Sequence, residues 1–147
     1  MKHNIRWTST KIRRYLEVIT PLVYRQRQAL PEFQYTELAH ERDAVNFDDL
    51  DRHDWRLLPY YSYWGQPDVT FVLRASFTVP ADWSDVMQTA LYLPIGDSGS
   101  FVHPETLVYI DGQSIAAIDR YHQEIILPEE YCDGQPHEII LHGWTGN

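Results

Sequence analysis

The sequence predicts an all-β protein, an antiparallel β-sandwich with one α-helix ahead of it, on three observations. Val69 to Val79 alternates with a period of two. Val69, Phe71, Leu73, Ala75, Phe77 and Val79 fall on one face, and Thr70, Arg74, Ser76 and Thr78 on the other, the pattern of a strand with one face buried. Thr106 to Ile110 is rich in β-branched and aromatic residues and runs into Asp111-Gly112. That dipeptide favours a type I′ hairpin, whose two central residues both need positive φ. Finally, 14% of the 147 residues are aromatic, with ten Tyr and five Trp, and nine Pro fit short strands joined by turns.

The N-terminal segment, residues 1–30, is expected to be helical. Thr8-Ser9-Thr10 offers N-cap chemistry, and Ile12, Leu16, Ile19 and Val23 recur at helical spacing, with Arg13, Arg14 and Glu17 on the other face. Pro21 should end or kink this helix after Thr20, and Tyr24 to Arg27 continues amphipathically towards Leu30-Pro31. A helix outside a β-fold usually packs on its own sandwich or on a neighbouring domain.

Residues 31–147 form the sandwich. Phe33 to Thr36, Thr89 to Ile95, Gln113 to Ile118, Ile125 to Leu127 and His137 to Leu141 read as further strands, with a turn around Asp82-Trp83-Ser84 and a flexible loop at Gly96 to Ser100. The expected core includes Phe71, Leu73, Phe77, Leu91, Leu93, Leu107, Ile126 and Ile139.

Composition narrows the function. One domain of this length buries enough apolar surface for a stable core. A single Cys, Cys132, forms no internal disulfide and points to no oxidising compartment. The net charge of −9 argues against a nucleic-acid backbone or an anionic membrane as partner. No apolar run is long enough to span a membrane, and Met1-Lys2-His3-Asn4 lacks the apolar core of a signal peptide. A soluble, cytoplasmic protein is expected.

Four stretches invite a chemical reading. Asp48 to Asp54 is acidic but lacks the Gly and closing Glu of a calcium loop, so a solvated acidic loop is expected. His137-Glu-Ile-Ile-Leu-His142 has one residue too many for the zinc motif H-E-x-x-H, and on a strand its two histidines face opposite ways. Tyr60 to Gly65 carries Tyr63 and Trp64, which could stack on a sugar ring or form an aromatic belt packed across the sandwich end or into an interface. The polar cluster Asp119-Arg120-Tyr121-His122 lies between apolar runs, at a strand end, where a sheet rim can carry a site. There Asp119 either caps its own turn, pairing with Arg120 or His122, or serves a ligand. Asp119 and Glu124 could also form a carboxylate pair. No G-x-S-x-G, phosphate-loop, dinucleotide-binding or paired-Cys pattern occurs.

The residues E-x-L-V-Y-I-D-G from Glu105 and I-D-R-x-H-x-E-I from Ile118 resemble the N-terminal domain of class II α-mannosidases of glycoside hydrolase family 38, in its cytosolic and vacuolar branch. R-R-x-L-E from Arg13, P-L-V-Y-R-x-R from Pro21, D-x-T-F from Asp68, R-x-x-F-x-V-P from Arg74 and G-Q-P-H-E-I from Gly134 add to the resemblance, which runs from Ile12 to Gly146. Val72-Leu73 stands where an aromatic pair is expected. The resemblance implies a jelly-roll, galactose-binding-like sandwich that precedes a catalytic barrel. Zinc and the nucleophilic Asp belong to that following domain, so no catalytic residue and no cofactor are expected in this chain. It also implies two partners, the catalytic domain of the same polypeptide and a mannose-containing oligosaccharide. The residues it leaves for substrate binding or domain contact are Asp119, Arg120, His122, Tyr63 and Trp64. The alternative is a stand-alone carbohydrate-binding module.

Overall fold

The computed structural model describes residues 7–39, 45–83, 88–96 and 104–146. One helix, α1 (Thr8–Val23), precedes eight strands: β1 (Phe33–Glu37), β2 (Arg56–Leu58), β3 (Thr70–Thr78), β4 (Ala90–Tyr92), β5 (Glu105–Ile110), β6 (Gln113–Ile118), β7 (Glu124–Ile126) and β8 (Pro136–Trp144). Six of them make one sheet in the order β2-β1-β3-β8-β5-β6, and β4 pairs with β7 in a second. Every pairing is antiparallel. The antiparallel all-β fold with an N-terminal helix is thus observed, and its two sheets are consistent with the expected β-sandwich.

Strand alternation sends Phe71, Leu73 and Phe77 of β3, Val108 and Ile110 of β5, and Ile139 and Leu141 of β8 into one core, where Leu91 of β4 and Ile125 of β7 meet them from the second sheet. Burying a side chain of this size contributes about 1.5–3 kcal/mol. The opposite face of the large sheet is covered over part of its width. A short 3-10 helix, Phe47–Arg52, lays Leu50 on Val72 and Ile140, with Trp55 and Tyr109 at the edge of that cluster.

The Asp111-Gly112 turn has φ of 48° and 77°, the positive pair that a type I′ turn requires. At Gly143 in β8 a β-carbon would collide with Thr106 Cγ2 and the Glu105 carbonyl, and would lie 2.9 Å from the Phe71 ring. Close backbone approach therefore demands glycine there.

Several expectations are corrected. The helix begins at Thr8 after Trp7 with no side-chain cap, and it continues through Pro21 to Val23. Near a helix C-terminus the proline removes only one hydrogen bond, and the chain follows it for two more residues before Tyr24 turns extended. Residues 24–32 are irregular. The helix does not pack on the sandwich, for none of its residues is buried. Leu107 is 45% exposed and Ile126 60%, while their neighbours Val108 and Ile125 are buried. Parity decides this: Thr106, Val108 and Ile110 share the inner face of β5, so Leu107 must point outward. The acidic stretch is the 3-10 helix with a buried Leu50, not a plain loop. Strand β4 is shorter than expected and β8 longer. Strand β2 carried no sequence signal. Residues 97–100 of the expected flexible loop and Ser84 of the expected turn lie outside the described residues.

Candidate functional site

Two cross-strand rows on the outer face of the large sheet build a groove. In the first, Thr70 of β3 pairs with Trp144 of β8, which pairs with Glu105 of β5. In the second, Val72 pairs with His142, His142 with Leu107, and Leu107 with Ala117 of β6. Strand β6 ends at Ile118, and the chain turns at Asp119, two residues beyond outward-facing Ala117. The groove encloses about 530 Å³ and is lined by residues of these rows, with Asp119 and His122 at its rim.

The Asp119 carboxylate is held in place. Its Oδ1 accepts hydrogen bonds from the backbone N–H groups of Tyr121 and His122, both at 2.7 Å, and from His122 Nδ1 at 3.0 Å. Backbone bonds between Asp119 and His122 close the turn in both directions at 3.3 Å. Burial works against the charge, but the two N–H donors and the imidazole outweigh it and hold the carboxyl below its ordinary range. The groove therefore keeps a fixed, ionised acceptor at neutral pH.

Trp144 is fixed from the other side. Its indole N–H donates to Asp68 Oδ1 at 2.9 Å. Asp68 adopts positive φ, 63°, a conformation that Asp tolerates better than most residues, and its own N–H is anchored to the Gly146 carbonyl at 2.6 Å. Thr70 is 5% exposed, and among the described residues its Oγ1 has no hydrogen-bond partner. Among the described residues no Lys or Arg lines the groove, and its carboxylates are those of Asp119 and Glu105. Among the described residues, no three His, Cys, Asp or Glu side chains are placed to hold a metal ion.

The remaining expected residues lie elsewhere. Arg120 stacks over the Tyr121 ring, 5.0 Å from its centroid, and does not line the groove. Tyr63 is fully exposed. Trp64 packs edge-on against Phe71 at 4.7 Å and Tyr35 at 5.6 Å, joining the core. It also borders a larger cavity of about 1370 Å³, whose walls include core residues such as Leu73, Phe77, Leu91 and Leu93. That cavity is mostly apolar, whereas the smaller groove gathers hydroxyl, carboxylate, imidazole and indole.

Of the residues lining this groove, sequence reasoning singled out Asp119 and His122 but not Thr70, Glu105, His142 or Trp144. His142 and Trp144 are two apart on a strand, which puts them on one face; that spacing was the available signal.

A second Asp–His cluster joins two turns. His137 lies between Asp111 Oδ2, 2.6 Å from its Nδ1, and Asp133 Oδ1, 3.0 Å from its Nε2. Tyr131 packs against its ring. Asp111 Oδ1 also accepts the Glu138 N–H at 2.9 Å. As expected for a strand, His137 and His142 on β8 are five residues apart and do not share a face.

No protein-family model matches the chain, and no curated protein matches it. Among solved structures it is similar to a β-glucuronidase from Ruminococcus gnavus, determined in complex with D-glucuronic acid, with a TM-score of 0.52 and 12% identity. The match covers 82% of this chain but 21% of that protein. At this identity the likeness is one of fold alone, shared with about a fifth of that protein.

Proposed function

We propose that the chain is a non-catalytic β-sandwich domain of a glycoside hydrolase, packing on that enzyme's catalytic domain. The observation that carries this reading is the fold likeness, which spans most of this chain and about a fifth of a much longer hydrolase. The finer reading rests on the sequence resemblance: the partner is a retaining, cytoplasmic α-mannosidase domain that holds zinc among its own residues. On that reading the Asp119 turn faces the catalytic domain, near the mouth of its sugar pocket, and a mannose-containing oligosaccharide is the substrate.

The coding frame beyond Asn147 tests the domain reading. A catalytic module with a zinc-type His/Asp motif is the expected find. A stop codon there overturns the reading and favours the stand-alone carbohydrate-binding module. In parallel, the purified chain given zinc and an aryl α-mannoside should release no aryl group above the buffer rate. Zinc-dependent release by a clean preparation would make the chain itself an enzyme and end the accessory assignment.

A further inference from the structure

We infer that the outer-face groove is a binding site for an uncharged pyranose ring, an inference that rests on the carbohydrate reading above and assigns the ligand class to a specific place. Thr70 carries the first part of it. A hydroxyl buried without a partner is unfavourable, and native structures keep few of them. Here the residue lines the groove while its Oγ1 is buried in the groove wall, so a ligand hydroxyl that displaces the side chains covering it would complete it.

The other walls suit the same guest. Asp119 is a rigid carboxylate with the acceptor capacity that vicinal sugar hydroxyls use, and the His122 imidazole lies beside it at the rim. Trp144, pinned by Asp68, and half-exposed Leu107 give apolar surface for the C–H face of a ring. The volume of about 530 Å³ falls in the usual range of small-molecule sites, about 300–1,000 Å³, and has room for one or two sugar units.

Charge then selects among sugars. Asp119 and Glu105 line the groove and, among the described residues, no Lys or Arg does, so there a uronate or sugar phosphate meets like charge. The site should accept a neutral hexopyranoside and reject D-glucuronate, the ligand of the structurally similar hydrolase.

Titration of the isotopically labelled chain with methyl α-D-mannopyranoside, followed by amide and indole N–H shifts, is the test. Saturable shifts are expected at Thr70, Asp119, His142 and the Trp144 indole, with D-glucuronate producing none. Asp119→Asn and Thr70→Val should each weaken binding at least tenfold. Thr70→Val removes only the unpartnered hydroxyl and should fold as well as the parent, so a loss of binding in it cannot be blamed on unfolding. Equal binding of D-glucuronate, unchanged affinity in Thr70→Val, or shifts confined to the Tyr60–Gly65 loop would each overturn the assignment. Absence of any shift at the solubility limit of the mannoside would do so as well. These readouts are independent of the coding frame: mannoside binding by a chain that no catalytic module follows upholds the groove and sinks only the domain reading.

Discussion

The fold carries two Asp–His pairs that a sequence alone cannot tell apart. His122 bonds to a carboxylate three residues before it, and 77% of its side chain is exposed. His137 has 10% of its side chain exposed and sits between Asp133, four residues away, and Asp111, which the chain reaches only by way of β6 and β7. The first pair shapes its own turn and leaves a carboxylate facing a groove. The second ties the β5–β6 turn to the start of β8. An ion pair's reach along the chain and its burial, rather than its chemistry, decide whether losing it damages stability or function.

The hardest blow to the fastener is indirect. Phe77 lies against His137 with ring centroids 5.8 Å apart, at the heart of the core, and Phe77→Ala should cost about 3–5 kcal/mol in urea unfolding. A loss below about 1 kcal/mol would mean that β3 does not bury this ring. Next comes His137→Ala, which leaves two carboxylates facing each other. It should cost about 2 kcal/mol: one hydrogen bond to a charged group is worth about 1.5–3 kcal/mol, and the two carboxylates, nearly half exposed, regain water once the imidazole is gone.

The same residue sets a pH signature. Burial pushes the His137 imidazole down, but its bonds to Asp111 and Asp133 and their charge prevail, and the folded-state value is raised. Stability from this group is complete below the ordinary imidazole value, about 6.5, and is lost as pH climbs through the folded value. For Asp111, burial raises the pKa but the bonds to His137 and Glu138 bring it down. Asp133 is lowered, first by the Gln135 N–H and then, against burial, by His137. Their contribution is complete above the ordinary carboxyl value, about 3.9, and is lost as pH falls through the folded values. The fastener is therefore strongest in mildly acidic buffer, and the parent's unfolding midpoint should fall on alkalinisation while that of His137→Ala does not. An equal alkaline loss in both proteins would assign the effect elsewhere.

The smallest effect belongs to the exposed pair. Asp119→Asn, whose amide oxygen can still accept the two backbone N–H groups, should lower the urea midpoint only slightly while weakening the ligand-induced shifts. A large drop in stability would make the Asp119 turn a second fastener and erase the contrast.

Some of this was legible from the chain and some was not. Strand β3 and the β5–β6 hairpin announce themselves because period-two burial and the Asp-Gly turn are local properties. Leu107 shows the limit. It is apolar and sits in a strand, yet its face depends on parity counted from Ile110, and its exposure makes sense only as part of the groove. Asp119 was visible as a polar residue at a strand end. Thr70 and Trp144 were not, because they meet through the register between β3 and β8, which no local window contains. Trp64 read either as a sugar platform or as part of a packed aromatic belt, and it packs against the core, since aromatic residues serve both ends equally well.

Strand β8 has a consequence in time as well as in space. It lies between β3 and β5 in the sheet but follows both in sequence, pairing Thr70 with Trp144 at one end and Thr78 with Pro136 at the other. During synthesis β1, β2 and β3 can assemble, and so can the β5–β6 hairpin, but each half keeps an open edge until residues 136–144 emerge. Insertion of that one segment joins both halves at once and seats Gly143 against Thr106 and Phe71. Such non-local closure slows folding, and the open edges that precede it can pair with those of other chains. The step that completes the sheet is also the one that brings Thr70, Trp144 and Glu105 into a single row.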